Sequence, residues 1–239
     1  MIERYLTRLR ARHSISDVEE RAVRDMIADI REVAGRQIVI REGQRLEFST
    51  LLLDGVMCRF KDLKNGQRQV TELHVPGDFA DMHSFTLKRL DHDVQTLTSC
   101  AMGVAPHDRI RRVVEEHPRL GRIFWFGTNL DAAIHRAWEV SLGLRSAAQR
   151  VGALFCELHV RFGLVGLADQ GGFRLPITQV ELAECLGLTA VHLNRVLRQL
   201  RDDGLTTFQN GRVDLLDLDR LRRLADFNDD YLYLRPEEL

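Results

Sequence analysis

The stretch that most restricts the fold of this chain is residues 175–205, where two short helical patterns flank a single glycine. Thr178 and Glu181 have the spacing of a capping box, which predicts the start of a first helix. Gly187 can form the tight turn after it, and Thr189 is placed to cap a second helix. A short helix, a glycine turn and an amphipathic second helix are typical of a helix-turn-helix.

The second helix of this motif is predicted to have one apolar and one basic face. Its apolar positions form a core with those of the first helix: Leu182, Leu186, Leu188, Leu193 and Val196. Residues 188–201 contain three arginines and no acidic residue, so the other face carries the local positive charge that phosphate contacts need. We therefore predict that DNA is contacted by Thr178, Thr189, Ala190, Val191, His192, Asn194, Arg195 and Arg198.

A short hairpin is predicted immediately after this motif. The runs LTTF and RVDLL flank Asn210-Gly211. An Asn-Gly pair favours a two-residue type I′ turn, in which both residues have a positive φ. Asp217 then caps a last helix. A hairpin in this place is the wing of a winged helix-turn-helix, and an unrelated pair of core helices with a separate hairpin explains the order of elements less well.

The overall charge of the chain does not favour nucleic-acid binding, because 34 basic residues stand against 35 acidic ones. Any DNA affinity must come from the local placement of charge. The 239 residues suit one large domain or two modest ones, and no apolar run approaches the roughly 20 residues of a membrane span. The N-terminal segment lacks the apolar region of a secretory signal. We therefore expect a cytoplasmic protein that does not associate with a membrane.

Residues 37–104 contain short runs rich in β-branched residues or leucine, separated by glycines: QIVI, FSTLLLDGVMCRF, QVTELHV, VQTLT and AMGVA. Many short strands joined by turns suggest a β-roll, barrel or sandwich. Asn65-Gly66 predicts a hairpin with a type I′ turn. Ahead of these runs, Ser16 and Glu19 have capping-box spacing, and the apolar spacing predicts a helix from Ser16 to about Val33.

A long helix is predicted from Pro118, because proline suits the first turn of a helix. Apolar and small residues then recur at alternating spacings of three and four, which is typical of a coiled-coil seam. We predict that this seam dimerises the protein through Leu120, Ile123, Gly127, Leu130, Ile134 and Ala137. The alternative is that the helix packs only on its own β-domain. The glycine-containing segment Leu142–Leu144 is predicted to end the helix and to form a hinge.

Together these patterns predict an α+β chain with three parts. They are a double-stranded, jelly-roll-like β-roll at residues 1–116, the dimerisation helix and hinge at 117–143, and the winged helix-turn-helix at 144–239. The sequence has no nucleophile-elbow, P-loop or HExxH motif, so an enzyme is not expected. The four cysteines are far apart and form no paired metal-ligand motif, so no metal site is expected.

The sequence resembles the Crp/Fnr superfamily of transcription regulators over nearly its whole length. The likeness is carried by REGQ, LLLDGVMCRF, NGQRQVTEL and VPGDF, followed by the long helix and the winged motif. The resemblance implies a cyclic-nucleotide-binding-like β-roll and a homodimer that binds a palindromic operator, with the second helix of the motif in the major groove. It also implies RNA polymerase as a partner. Arg195 falls where the family has its base- or phosphate-contacting arginine.

Two departures from the family concern the DNA contacts and the effector. Val191 stands where many members carry a glutamate that accepts from cytosine, so the best-known half-site of the family is not expected. Cyclic-nucleotide binders supply a glutamate and an Arg-Ser pair after GDF, and here Met82 and His92-Asp93 fall near those positions. We therefore expect no binding of cyclic AMP. The pocket of an unidentified effector is placed at Asp81, Met82, His83, His92 and Asp93.

Several alternatives for the effector follow from the same residues. The clustered N-terminal cysteines of iron–sulfur members are missing before Cys58, so no iron–sulfur cluster is expected. Haem stays an alternative, because His74, His83 and His92 fall in one region and histidine is a common axial ligand. A thiol redox sensor is another. A constitutive regulator, whose β-roll is only a dimerisation scaffold, explains the missing nucleotide contacts equally well.

Overall fold

The computed structural model describes residues 2–235 and combines helices with antiparallel sheets, so the predicted α+β class is confirmed. The helices of the N-terminal part are α1 (Glu3–Arg10), α2 (Asp17–Met26), α3 (Ser84–Leu87) and α4 (His107–Glu116). Its strands are β1 (Asp29–Val33), β2 (Ile38–Ile40), β3 (Phe48–Asp54), β4 (Met57–Asp62), β5 (Arg68–His74), β6 (Asp93–Thr96) and β7 (Cys100–Pro106).

A long central helix, α5 (Pro118–Leu144), leads into the C-terminal part. The helices there are α6 (Ala147–Gly163), α7 (Gln179–Leu186), α8 (Ala190–Asp202) and α9 (Leu218–Ala225), followed by a 3₁₀ turn at Asp230–Leu232. The strands are β8 (Ala168–Asp169), β9 (Gly172–Arg174), β10 (Thr206–Gln209) and β11 (Arg212–Leu215). Between residues 2 and 235, no helix has both the length and the apolar character needed to cross a membrane.

The strands of the N-terminal part form the predicted β-roll from two antiparallel sheets. One sheet has the strand order β1-β7-β3, and the other has the order β2-β6-β4-β5. Leu52 of the first sheet meets Met57 and Val94 of the second in one buried cluster. Leu51 and Leu53 alternate with Leu52 along β3, so they face the other way and pack among residues of α1, α2 and α5.

The helix predicted from Ser16 to Val33 is wrong in its second half. Its start is confirmed, because Glu19 N donates to Ser16 Oγ at 3.3 Å. However, α2 ends at Met26, and β1 pairs along its whole length with β7. Ile30, an apolar position that suggested the longer helix, is exposed in β1. Backbone pairing at the edge of the sheet therefore decides the structure of this segment, and apolar burial does not.

The predicted type I′ turn at Asn65-Gly66 is also wrong. A five-residue loop separates β4 from β5, and Gly66 has a φ of +83° whereas Asn65 has no positive φ. The Asn65 side chain instead accepts a hydrogen bond from Gln67 N at 3.0 Å. Because a side chain that bonds the backbone two residues later stabilises a turn by itself, the longer loop does not need the primed geometry.

The predicted break at Leu142–Leu144 lies inside α5, which continues through all three residues. The chain leaves the helical region at Arg145, whose ψ is +144°. Ser146 and Gln149 then form the capping box of α6. A single glycine costs a helix only about 1 kcal/mol, so Gly143 does not end it. The cap of the next helix sets the position of the break.

The segment 163–172, GLVGLADQGG, leads into a small hairpin formed by β8 and β9. Ala168 and Asp169 pair with Phe173 and Gly172, and β9 then joins the wing strands in the order β10-β11-β9-β8. Gly172 has a φ of +138°, and a Cβ there would lie 2.0 Å from the carbonyl oxygen of Val213. Only glycine fits at this close approach of two backbones.

The two parts of the chain share one buried apolar core. Phe60 and Leu73 of the roll, Trp138 of α5 and Leu182 of α7 belong to the same cluster. Helix α7 packs on β5. Gln69 Nε2 on β5 donates to the carbonyl oxygen of Glu184 at 2.8 Å. The first helix of the helix-turn-helix is thus attached directly to the β-roll.

Candidate nucleic-acid interface

Two capped helices set the geometry of the helix-turn-helix. Glu181 N donates to Thr178 Oγ1 at 3.2 Å, and Thr178 N donates to Glu181 Oε2 at 2.6 Å. Gly187 has a φ of +60°, the left-handed region that favours glycine, and turns the chain between α7 and α8. His192 N donates to Thr189 Oγ1 at 3.2 Å and fixes the start of α8. The predicted caps and turn are confirmed.

Helix α8 presents two opposite faces. Its buried face packs into the shared core through Leu193, Val196, Leu197 and Leu200. Residues at positions i, i+3, i+4 and i+7 lie on one side of a helix. On the side away from the core, this stripe is exposed and consists of Val191, Asn194, Arg195 and Arg198, which we call the reading face.

The cations of the reading face are free to bind an anion. Within residues 2–235, no side-chain hydrogen bond or ion pair involves Asn194, Arg195 or Arg198. In contrast, Arg201 near the end of α8 is 3.1 Å from the carboxylate of Asp202. The start of α8 adds the positive end of a helix dipole. Unpaired positive charge therefore lies along the first three turns of α8, which suits contact with DNA.

Some of the predicted DNA contacts have side chains that are already hydrogen-bonded or partly buried within the protein. The hydroxyls of Thr178 and Thr189 cap their helices, and Ala190 is half-buried. His192 is exposed next to the reading face. All eight residues stay predicted contacts, but the structure leaves most freedom for direct contact to His192 and the reading face.

The wing has the predicted hairpin geometry. Asn210 and Gly211 both have a positive φ, of +52° and +69°, so the type I′ turn is confirmed. A Cβ on Gly211 would lie 3.0 Å from Pro176 Cα, which places the tip of the wing against the segment that enters α7. Arg174 lies opposite Arg212 in this sheet and is exposed. Arg174 is not among the predicted DNA contacts, because the sequence does not show that β9 joins the wing.

A cleft of about 580 Å³ lies between the β-roll and α5. His83 and His92 line it, as predicted for an effector pocket. The structure does not bring Asp81, Met82 and Asp93 to this cleft. Asp81 is buried and accepts from Thr50 N, Met82 lines a separate cavity next to α1, and Asp93 accepts from Glu42 N. Residues 81–92 lie between β5 and β6, and the sequence could not show which of their side chains the packing of the roll turns toward α5.

An internal ion cluster, which sequence reasoning missed, forms one wall of the cleft. Arg59 of β4 is buried, and its guanidinium donates to Glu72 at 2.8 Å, Asp131 at 2.9 Å and the carbonyl oxygen of Ala80 at 2.8 Å. His135 Nε2 lies 2.9 Å from Glu72 Oε2. Two signals were present in the sequence: an arginine inside the apolar strand VMCRF, and an aspartate and a histidine four residues apart on α5.

Burial and charge shift the acids of this cluster in opposite directions. Burial, together with the charge of Glu72, raises the pKa of Asp131 to about 6. Burial opposes ionisation of Glu72 as well, but the charge of Arg59 lowers the pKa of Glu72 well below its usual range. Because Arg59 is already surrounded by acceptors, it has little capacity left for an anionic effector.

The three histidines considered for haem do not share one site. His74 is fully buried in β5, and burial lowers its pKa well below the usual range. The rings of His83 and His92 lie 5.5 Å apart at the cleft, and burial lowers the pKa of His83 to about 3. Among residues 2–235, no three His, Cys, Asp or Glu side chains are arranged to hold a metal ion.

The four cysteines are buried and unpaired by disulfides. Burial raises the pKa of Cys58 and of Cys156 to about 12, and it also raises the pKa values of Cys100 and Cys185. The thiolate is the reactive form of cysteine, and almost none is present at neutral pH when the pKa is this high. The structure therefore gives the thiol-sensor alternative no support.

The predicted dimer seam is wrong for four of its six residues. Leu120 and Ile123 pack among residues of the N-terminal part, and Leu130 and Ile134 pack in the shared core. They are buried in their own chain and cannot contact a second copy. Gly127 and Ala137 are half-buried. This is the outcome of the alternative prediction, in which that face of the helix packs on its own β-domain.

The opposite side of α5 carries an exposed stripe at the same alternating spacing. We call it the outer stripe; Ala132 in it is half-buried, and its exposed members are Trp125, Asn129, Arg136, Val140 and Gly143. Trp125 is 69% exposed, and Val140 is 52% exposed. Ala132 and Gly143 are small enough to let another helix approach closely. An exposed tryptophan on such a stripe is an uncovered apolar surface.

A β-roll joined by a long helix to a winged helix-turn-helix with an open basic face defines a DNA-binding transcription regulator. The family model of the cyclic nucleotide-binding domain matches residues 30–117, and that of the Crp-like helix-turn-helix domain matches residues 149–224. The nitrogen fixation regulation protein FixK of Bradyrhizobium diazoefficiens is 31% identical over 176 residues, which cover 73% of this chain and 72% of that protein. The chain belongs to the Crp/Fnr family of transcription regulators.

Further relatives agree with this assignment. The transcriptional activator protein FnrL of Cereibacter sphaeroides is 27% identical over 219 residues, covering 90% of this chain and 86% of that protein. The structure of FixK2 from Bradyrhizobium japonicum superimposes with a TM-score of 0.76 at 21% identity, covering 83% of this chain and 97% of that one, which shows the shared fold. These proteins are transcription regulators and not enzymes.

Proposed function

We propose that two copies of this chain bind a palindromic DNA operator, each placing α8 in the major groove of one half-site. The observation that carries the proposal is the reading face, where Arg195 and Arg198 are exposed and no residue of the described chain neutralises them. The wing and the entry into α7 lie side by side, where they can contact phosphates. Half-sites of such dimers are about one helical turn apart, so the two α8 helices must lie about 34–36 Å apart.

The outer stripe of α5 is the proposed dimer interface. It replaces the predicted seam, which is buried in its own chain. Two copies that pack stripe to stripe would cover Trp125 and Val140 and bring Ala132 and Gly143 close to the partner helix. Exposed aromatic residues are enriched at the centres of protein interfaces.

A small-molecule effector that binds the cleft between the roll and α5 is the proposed switch. Lys61, His83 and His92 contribute polar groups from the roll, and Thr128 contributes one from α5. A ligand that touches both elements would bias the position of α5, and through it the spacing of the two α8 helices.

A constitutive regulator is the second candidate, and one observation favours it. Arg59 already bonds Asp131 across the cleft at 2.9 Å, so the roll and α5 are joined without any ligand. In this case the conformation that binds DNA is always populated. A cell extract that changes the DNA affinity by more than a few-fold supports the effector-controlled protein, and an unchanged affinity supports the constitutive one.

The relatives suggest the direction of regulation. FnrL is named a transcriptional activator protein, and a protein of Rhizobium leguminosarum bv. viciae that is 29% identical over 189 residues is named a "probable transcriptional activator". We therefore propose that this protein activates transcription in the cytoplasm, where the DNA is, through contact with RNA polymerase.

The first experiment is a selection of bound duplexes from random DNA, using the purified full-length protein without added ligand. An enriched palindrome with half-site centres about one turn apart supports a dimer that binds one half-site with each copy of α8. If nothing is enriched, the selection is repeated with a small-molecule extract of cells. A failure of both selections contradicts the proposal.

The selected duplex then tests the reading face directly. Arg195→Ala is expected to weaken binding by about fivefold or more, since a good base contact contributes about 1–3 kcal/mol. Arg220→Ala is the matched control, because Arg220 is exposed on α9, which packs on α6. Affinities are measured by fluorescence anisotropy at one salt concentration, because phosphate contacts depend strongly on salt. Equal losses for both variants would contradict a specific role of the reading face.

A further inference from the structure

We propose that Val191 and Asn194 select A·T base pairs in each half-site, with the Val191 side chain packed against the C5-methyl group of a thymine. This inference rests on the proposed placement of α8 in the major groove. It names the chemistry that the reading face recognises, where the proposed function names only DNA.

The first observation is the exposure of Val191. This side chain is 71% exposed in the first turn of α8, while the apolar positions of the opposite face are buried. An apolar side chain gains nothing from contact with a phosphate, so its favourable partner in DNA must be apolar. At the base edges of the major groove, that partner is the methyl group of thymine.

The second observation is the position of Asn194 next to Val191 on the reading face. Val191 and Asn194 are three residues apart on α8, so their Cβ atoms are about 5–6 Å apart. Base pairs are spaced about 3.4 Å along the helix axis, so the two side chains reach base pairs one or two steps apart. The free amide of Asn194 can donate and accept at once, which matches N7 and N6 of adenine.

The charge of α8 argues against the alternative that the reading face recognises cytosine. Between Ala190 and Arg201 the helix carries no carboxylate, so no anionic acceptor of the reading face is available for N4 of cytosine. Arg195 and Arg198 can serve a guanine or the phosphates. The A·T preference is therefore assigned to Val191 and Asn194, the two neutral residues of the reading face.

The test removes single methyl groups from the DNA. In the selected operator, each thymine of a half-site is replaced in turn by uracil, which lacks only the C5-methyl group. We expect one position per half-site at which the wild type loses about fourfold in affinity, the effect of one buried methyl group. The Val191→Ala variant should bind duplexes with thymine or uracil at that position equally well. At the other thymine positions, uracil should change its affinity as much as it changes that of the wild type. Val180→Ala is the control, since Val180 is an exposed valine on α7.

A second variant tests specificity in the opposite sense. Val191→Glu introduces an acceptor for cytosine, so the preferred base at this position should change from thymine to cytosine by at least about fivefold. Asn194→Ala should reduce the discrimination for adenine at the neighbouring step.

The outcomes separate this inference from the function on which it rests. If no operator is recovered, or if it does not depend on Arg195, the proposed DNA-binding mode fails. If an operator depends on Arg195 but no uracil substitution matters, only the inference fails. A thymine preference that persists unchanged in Val191→Ala also overturns it.

Discussion

Arg161 on α6 donates a hydrogen bond to the backbone carbonyl oxygen of Leu73 at 2.7 Å and so joins the DNA-binding part to the β-roll. The same guanidinium donates to Asp78 at 2.8 Å and to Glu157 at 2.8 Å. The Arg161 side chain is 2% exposed. Because a buried charge is stable only with its partners in place, this contact fixes how α6 lies on the roll.

Replacement of Arg161 is expected to destabilise the whole protein. Arg161→Met keeps much of the side-chain volume but leaves Asp78 and Glu157 with one fewer cation in a buried place. Breaking a buried pair in this way costs about 3–5 kcal/mol. The measurement is urea unfolding at pH 7. Arg223→Met is the control, because Arg223 is exposed on α9 and should change the unfolding free energy by less than about 0.5 kcal/mol. A loss below about 1 kcal/mol for Arg161→Met would contradict the role given to this contact.

Trp125→Glu is expected to convert the proposed dimer into a monomer. The substitution places a charge at the N-terminal end of the outer stripe, where a partner helix would have to desolvate it. Sedimentation velocity at micromolar concentration reports the change, and binding to a full palindrome should weaken with it. Leu87→Glu is the matched control, since Leu87 is also an exposed apolar residue but lies on α3. Dimers that persist in Trp125→Glu but dissociate in Leu87→Glu would place the interface on the β-roll instead.

The stability of the protein should depend on the ionisation of Asp81. Burial raises the pKa of Asp81 to about 7, although the backbone of Thr50 donates a hydrogen bond to it. Between about pH 4 and pH 7 the folded protein therefore holds a proton that the unfolded chain has released, so this group lowers the stability as the pH rises. Above about pH 7 its contribution is constant.

Asp81→Asn isolates this effect. The unfolding free energy of wild type minus that of Asp81→Asn should fall by up to about 4 kcal/mol from pH 4 to pH 7, at 1.36 kcal/mol per unit of pKa shift. Asp25→Asn, a change at an exposed carboxylate, controls for the altered net charge. A difference that does not vary with pH would show that Asp81 titrates in the same range in the folded and unfolded states.

The cysteines should be inert in the folded protein. Burial keeps their thiols protonated at neutral pH, so a disulfide reagent should modify none of them while it titrates four after unfolding in denaturant. Rapid modification of a thiol in the folded protein, accompanied by a change in DNA affinity, would instead revive the redox-sensor alternative.

Features that depend on a few neighbouring residues were predictable from the sequence. The capping boxes at Ser16 and Thr178, the left-handed Gly187 and the primed turn at Asn210-Gly211 are each decided within four residues. The order of such elements was enough to predict the winged helix-turn-helix.

Features that depend on distant partners could not be predicted. The same Asn-Gly pair gives a primed turn in the wing but a longer loop at Asn65, where a side-chain bond takes over. The period of α5 indicated an apolar side, but its residues Leu120 and Leu130 are buried in their own chain and not in a dimer. A heptad pattern shows that one side of a helix is covered, and it does not show by what.

The sequence by itself determined the capped helices and turns of the winged helix-turn-helix, because caps, turns and helical faces result from interactions over three or four residues. The tertiary structure alone decided which side of α5 is open to a partner and which residues form the cleft. It also decided that Arg59 meets Asp131, 72 positions further along the chain. These relationships depend on how the β-roll, α5 and α6 pack together. The local sequence patterns are compatible with more than one such packing.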